Sequence, residues 1–221
     1  MSSKPEPGKP PLRLVVVGAG AIGHARLPRR VRWKWAGITL VDGGRVEEKN
    51  LERQAPSAPV DIGKPKVEVA AAWLRNAPIA VRVSARDEFL DARNAEAVIA
   101  MHDVVADCTD DAHVKRLLDH TCKAYGVALV SGSVHGKQAQ VIMLHAAGEG
   151  EDITRDELFQ GKLGMEQDGC DMRNVPLVTI EETARRMAQL LRALVQGGPV
   201  RNGRVDLFDG KHWSAIDPPI S

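Results

Sequence analysis

The chain reads as an α/β protein with a doubly wound, mainly parallel, Rossmann-like sheet, and three observations carry that reading. Short apolar runs rich in Val, Ile and Leu alternate along the 221 residues with longer stretches of helical period. One run, Leu14-Val15-Val16-Val17, opens directly into Gly18-Ala19-Gly20-Ala21-Ile22-Gly23. Glycines in such a strand–turn–helix unit permit a sharp turn, a close approach of backbone N–H groups to phosphate, and tight helix–strand packing. The next run, Ile38-Thr39-Leu40-Val41, ends on Asp42, 19 residues past Gly23, where a carboxylate reaches ribose hydroxyls. A nucleotide site follows from this order, with dinucleotide and ATP both open.

The elements are expected in sequence. A strand over 12–17 leads to a helix over 21–35, which Pro28 kinks or delays. Within it, the basic run from Arg29 to Trp35 reads as arginine stems lying over a sheet-covering face, with nucleic-acid contact as the alternative. Further strands are expected over 37–41, 79–84, 104–107, 128–131 and 138–144, with helices over 67–76, 91–101 and 111–125. Periodicity then fades, glycines recur at 148, 150, 161, 164 and 169, and acids outnumber bases. A flexible crossover loop is expected over 146–175, with one helical turn at 155–159. Ala184, Met187, Leu190, Leu191 and Leu194 make one stripe of a helix over 179–195, and a closing strand pair covers 204–209 and 211–216. The organisation is a disordered leader (1–11), a nucleotide-binding core (12–145), the crossover loop, and a C-terminal helix and strands of the same domain (176–221).

Composition narrows the class. Lys and Arg total 30 against 29 Asp and Glu, a formal charge of +1 that lacks the basic footprint of a duplex-binding protein. Cys108, Cys122 and Cys170 are odd in number and form no C-x-x-C pair, so neither a disulfide framework nor a zinc site is expected. Cys108 and Cys122 lie in apolar contexts and read as inert core thiols. No apolar run approaches the length of a membrane span, and a cytoplasmic location is expected.

In order, the Gly18–Gly23 turn, Val41-Asp42, Asn50-Leu51-Glu52-Arg53-Gln54, Gly63-Lys64-Pro65-Lys66, Asp107-Cys108-Thr109-Asp110 and Ser131-Gly132-Ser133 resemble the ThiF/MoeB/HesA family, bacterial relatives of ubiquitin-activating enzymes. Gly136 and Gln140-Val141 extend the likeness, which is strong over 12–144 and loose over 170–216. The resemblance implies ATP- and Mg²⁺-dependent adenylation of the C-terminal glycine of a ubiquitin-like or sulfur-carrier protein. It also implies attack by a thiol or sulfur donor, hand-over to a conjugating enzyme, and a homodimer or heterodimer. Asp42 then matches the ribose-binding acid, while Asn50 and Arg53 face the triphosphate. Lys66 matches the lysine that spreads phosphate charge, with Lys64 as a neighbouring alternative. Asp110 matches the acid that holds Mg²⁺, and a plain helix cap is its other reading. Asp111 stands where the family usually has Asn. Cys170 falls near the family's nucleophilic cysteine, and it reads equally as an ordinary exposed thiol. His135 and His145 read as packing or surface histidines rather than acids or bases.

Departures qualify the likeness. Ala21-Ile22-Gly23-His24 replaces the usual residues after Gly20, so His24 either lines the phosphate pocket or occupies the first helical turn. The family's leading helix, whose arginine reaches a partner's ATP, has no match, and Arg13 lies inside a strand. The compact form looks more like the activating component of a bacterial ubiquitin-like conjugation system than a thiamine or molybdopterin enzyme. Two alternatives stand beside this reading, an NAD-dependent oxidoreductase and a non-catalytic subunit of a heterodimeric activating enzyme.

Overall fold

Alternation of side chains along the first strand decides where the core lies. Leu14 and Val16 point to one face of the sheet, Val15 and Val17 to the other, so both faces are apolar and both need cover. The computed structural model describes residues 11–24, 27, 35–52, 54, 57–76, 81–160 and 174–217. Its elements run β1 (Arg13–Val17), β2 (Gly37–Val41), α1 (Lys66–Asn76), β3 (Arg82–Arg86), α2 (Ala95–Ile99), β4 (Val104–Asp107), α3 (Ala112–Tyr125), β5 (Ala128–His135), β6 (Gln138–Leu144), α4 (Arg155–Leu158), α5 (Leu177–Gln196), β7 (Val205–Phe208) and β8 (Trp213–Ile216). Val67, Ala70 and Leu74 of α1 and Ile180, Met187 and Leu191 of α5 cover the Leu14 face. Val98 and Ile99 of α2 and Leu118 and Cys122 of α3 cover the Val15 face.

The described strands form one eight-stranded sheet in the order β3-β2-β1-β4-β5-β6-β7-β8. β3, β2, β1, β4 and β5 are mutually parallel, and β5 to β8 continue as antiparallel neighbours. This is the doubly wound, mainly parallel architecture expected from the sequence, closed by α5 and the β7–β8 pair. Residues 1–10, most of the helix expected over 21–35, and residues 161–173 of the crossover loop lie outside the described residues. Among the described residues no helix is long and apolar enough to cross a membrane.

Two strands differ from expectation. β3 occupies Arg82–Arg86, where Val83 supplies the buried position, and so runs two residues past the expected end at 84, while residues 79 and 80 lie outside the described residues. Its pairing with β2, from Gly37 with Arg82 to Val41 with Arg86, carries it to that end. β5 runs on to His135 because Ser133 to His135 pair with Gln140 to Gln138 across a two-residue turn, in which Gly136 adopts φ +53°. Gly132 lies inside that strand, and a Cβ there would meet Met187 Sδ at 2.4 Å, so the glycine lets α5 lie close on β5.

Candidate nucleotide-binding site

The register brings the predicted residues to one edge of the sheet. Val17 pairs with Val41 on one side and Asp107 on the other, so Gly18, Asp42 and Cys108 leave their strands side by side. Strand order reverses between β1 and β4, and the crevice beyond such a switch point is where open α/β sheets bind ligands. Gly18 adopts φ +90°, and a Cβ there would sit 2.8 Å from the Cys108 carbonyl carbon. A Cβ on Gly23 would lie 1.9 Å from the Gly18 oxygen, whereas one on Gly20 would meet nothing within 4 Å. Gly23 therefore closes the turn and Gly20 faces open space. His24 is buried in the turn, with Nε2 2.8 Å from Ser57 Oγ.

Asp42 is fixed by two backbone donors. Ala19 N–H donates to Oδ2 and Gly44 N–H to Oδ1, both at 2.6 Å, tying the glycine turn to the loop after β2. Residues 44–46 lie against 63–66 through Val46 N–H to Lys64 O and Gly63 N–H to Val46 O, both 2.9 Å, and Lys66 N–H to Gly44 O, 3.0 Å. That clasp starts α1 at Lys66. A Cβ on Gly44 would be 2.8 Å from Asp42 Oδ1 and 3.3 Å from Lys66 Nζ, so ammonium and carboxylate flank the same glycine. Lys64, the alternative, is paired with Asp61 at 2.9 Å. Asn50 ends a short 3-10 turn, Glu48–Asn50. Its side chain, Arg53 and Cys170 lie outside the described residues.

Asp107 ends β4 and shapes the turn that follows. Its Oδ1 accepts Thr109 N–H at 3.0 Å and Thr109 O–H at 2.7 Å. Asp111, not Asp110, caps α3, accepting His113 N–H at 2.7 Å and Val114 N–H at 3.1 Å. The cap reading of Asp110 thus passes to its neighbour, and the Asp110 carboxylate stands exposed at the same edge. Among the described residues no three His, Cys, Asp or Glu side chains gather into a metal cluster. One exposed carboxylate beside the glycine turn still fits Mg²⁺, which takes one or two carboxylates and completes its shell from phosphate oxygens and water. Burial pushes the Cys108 and Cys122 thiols up, the more so beside Asp107 and Asp119, and leaves both protonated.

Sequence reasoning missed two features. Phe89, 70% exposed, lies over Gly43, where a Cβ would touch its ring at 2.6 Å. A flat apolar face therefore stands beside Asp42, and its only signal was a lone aromatic residue in a polar loop. Beneath the edge runs a buried ionic network. Lys115 Nζ donates to Asp107 Oδ2 at 2.8 Å and to Gly132 O at 3.0 Å, Ser131 O–H donates to the same Oδ2 at 2.5 Å, and Arg155 Nη1 donates to Ser131 Oγ at 3.2 Å. Burial opposes the charge on Asp107, yet Lys115 and the two hydroxyls hold its carboxyl below the ordinary range. Burial, with Arg155 nearby, pushes the Lys115 ammonium down. Asp119 accepts Arg155 N–H at 2.8 Å and faces His145 Nε2 at 2.7 Å, while His145 Nδ1 faces Asp152. His145 is thus buried between two carboxylates, the packing rather than the surface alternative, with ion pairing that its sequence context did not show. The available signal was Lys115 and Asp119 on the same helical face as Leu118 and Cys122.

With this geometry in place, comparison with known proteins is decisive at the level of family. The ThiF family matches residues 11–215. The chain belongs to the ThiF family. The molybdopterin-synthase adenylyltransferase of Escherichia coli is 33% identical over 200 residues, covering 89% of this chain and 78% of that protein. The SAMP-activating enzyme E1 of Haloferax volcanii is 34% identical over 132 residues, covering 60% of this chain and 49% of its own length. The chain thus spans about half the length of that archaeal relative. Among solved structures, Escherichia coli MccB matches with a TM-score of 0.77 at 17% identity, over 95% of this chain and 63% of its own, a likeness of fold. Relatives named as adenylyltransferases give no support to the oxidoreductase alternative.

Proposed function

We propose that this chain adenylates the C-terminal glycine carboxylate of a ubiquitin-like or sulfur-carrier protein, consuming ATP and releasing pyrophosphate. The observation that carries the reading is the meeting of the glycine turn, Asp42, Lys66 and Asp110 at the switch-point edge of a ThiF-family sheet. Support comes from relatives whose names describe activation of sulfur carriers and SAMPs. In the reaction a carboxylate oxygen attacks the α-phosphorus and the bond to the β-phosphate oxygen breaks. The products are an acyl-adenylate and pyrophosphate. Backbone N–H groups around Gly20 receive the phosphates, Asp42 turns to the ribose, and Phe89 offers its face to the base. Lys66, with Arg53 and Asn50, offsets the charge that grows on the leaving pyrophosphate. Asp110 is the residue that would hold Mg²⁺, which when bound neutralises charge at the α-phosphate.

Cys170 is the candidate for the next step, in which its thiolate attacks the acyl carbon and AMP leaves. The acyl group then passes to the attacking thiolate of a conjugating enzyme or of a sulfur donor, and the Cys170 thiolate leaves. The protein works in the cytoplasm as a dimer on this reading. Pyrophosphate exchange into ATP, measured with ubiquitin-fold proteins ending in glycine, tests it. Lys66→Ala and Asp110→Ala are each expected to lower exchange by ~10²–10³, while Cys170→Ala spares exchange and abolishes thioester. ATP binding without exchange by the wild-type chain would instead mark it as a non-catalytic subunit.

A further inference from the structure

Lys115 has no task in the reaction just described, yet its side chain is 1% exposed and its ammonium is matched by an equally buried carboxylate. A buried lysine persists only when its charge is paired and its hydrogens are bonded. Here Asp107, Ser131 and the Gly132 carbonyl meet both needs. The pairing also divides the Asp107 carboxylate. Lys115 and Ser131 take Oδ2, which leaves Oδ1 to Thr109 N–H and O–H. Asp110 follows Thr109, and Asp111 caps the helix that carries Lys115. The turn is therefore a closed loop of contacts, from Asp107 through Thr109 and the Asp111 cap into α3 and back through Lys115. Asp110 lies inside that loop, its own carboxylate exposed.

We propose that Lys115 is a positioning residue for the nucleotide-bound divalent cation, pinning the Asp107 carboxylate so that the turn presents Asp110 in one orientation. The role rests on the adenylation reading of the same site. A neutral side chain of equal length leaves Asp107 either unpaired or protonated. In both cases Oδ2 loses its anchor, the carboxyl group rotates, and Thr109 is released. Residues that orient a metal ligand from behind change cation affinity by roughly 10- to 100-fold when removed.

The test uses Lys115→Met, Lys115→Arg and Thr109→Val, each loaded with a non-hydrolysable ATP analogue. Mn²⁺ affinity is read by electron paramagnetic resonance, and amide hydrogen exchange is followed across residues 107–111. Lys115→Met and Thr109→Val are expected to weaken Mn²⁺ by roughly 10-fold or more and to deprotect the turn, with metal-free nucleotide affinity unchanged. Lys115→Arg restores both. Should Lys115→Met fail to fold, Thr109→Val decides, since it removes no buried charge. The positioning role is overturned if folded Thr109→Val binds Mn²⁺ as the wild type does. A wild-type chain that binds no nucleotide at all overturns the adenylation reading itself, and this role with it.

Discussion

At Gly20 a Cβ would meet nothing within 4 Å, whereas at Gly23 it would lie 1.9 Å from a carbonyl oxygen. Gly20→Ala is therefore expected to keep stability within ~0.5 kcal/mol yet weaken ATP binding, because the methyl group occupies the space a phosphate approaches. Gly23→Ala is expected to abolish folding. Thermal melts and calorimetric titration of the two variants separate these effects, and full ATP affinity in Gly20→Ala would count against the phosphate site. His145 carries a pH prediction. Burial works against its charge, but the carboxylates of Asp119 and Asp152 outweigh it and hold the pKa above 6.5. A pKa raised on folding gives stability that is complete below the unfolded value and lost as pH rises through the folded one. Melting temperature is thus expected to fall as pH climbs above 6.5. His145→Asn, which tolerates the local φ of +56°, is expected to flatten that fall.

At the scale of elements, α3 shows how much of the site depends on helix ends. Its start is capped by Asp111, and its end by Gly126 at φ +63°. Asp111→Ala is expected to cost ~1 kcal/mol, and Gly126→Ala ~1–2 kcal/mol for the left-handed backbone. Only the first lies beside Asp110, so only the first is expected to alter the metal dependence of exchange. The sequence made α3 legible through its apolar period, and the Asp111 cap is visible there once Asp110 is excluded. It did not reveal that Lys115 and Asp119 point inward, because single-residue hydropathy ranks both as surface groups and their partners, Asp107 and His145, lie on other elements. The far end of β3 was missed for a related reason, since no residue after Val83 in that strand is buried to mark it.

For the molecule as a whole, the proposed nucleotide site at the switch point between β1 and β4 carries a stability prediction. A ligand that binds only the folded state at ~100 times its Kd adds about 2.7 kcal/mol, or roughly 5–11 °C for a chain of this size. A thermal shift in ATP with Mg²⁺ is expected to reach that range, and no shift at millimolar ATP would contradict the site. Asp110→Ala is expected to keep the shift in metal-free ATP and lose the part that Mg²⁺ adds.

The order of strand, glycine turn, helix and strand-end acid is written in the chain because each piece obeys a local rule. Periodicity selects the element, glycine the turn, and the last strand residue the edge on which its successor emerges. Those rules sufficed for the doubly wound class and for bringing Gly18 and Asp42 to one edge of the sheet, whereas Lys66 and Asp110 were singled out only by the family resemblance. The tertiary structure decided what depends on neighbours distant in sequence. It paired Lys64 with Asp61, set Lys66 beside Gly44, placed Phe89 on Gly43, gave the α3 cap to Asp111, and buried Lys115 and Arg155 beneath the edge. Burial of a charge is a property of the partner that meets it, and that partner is fixed only when the sheet and its helices have closed.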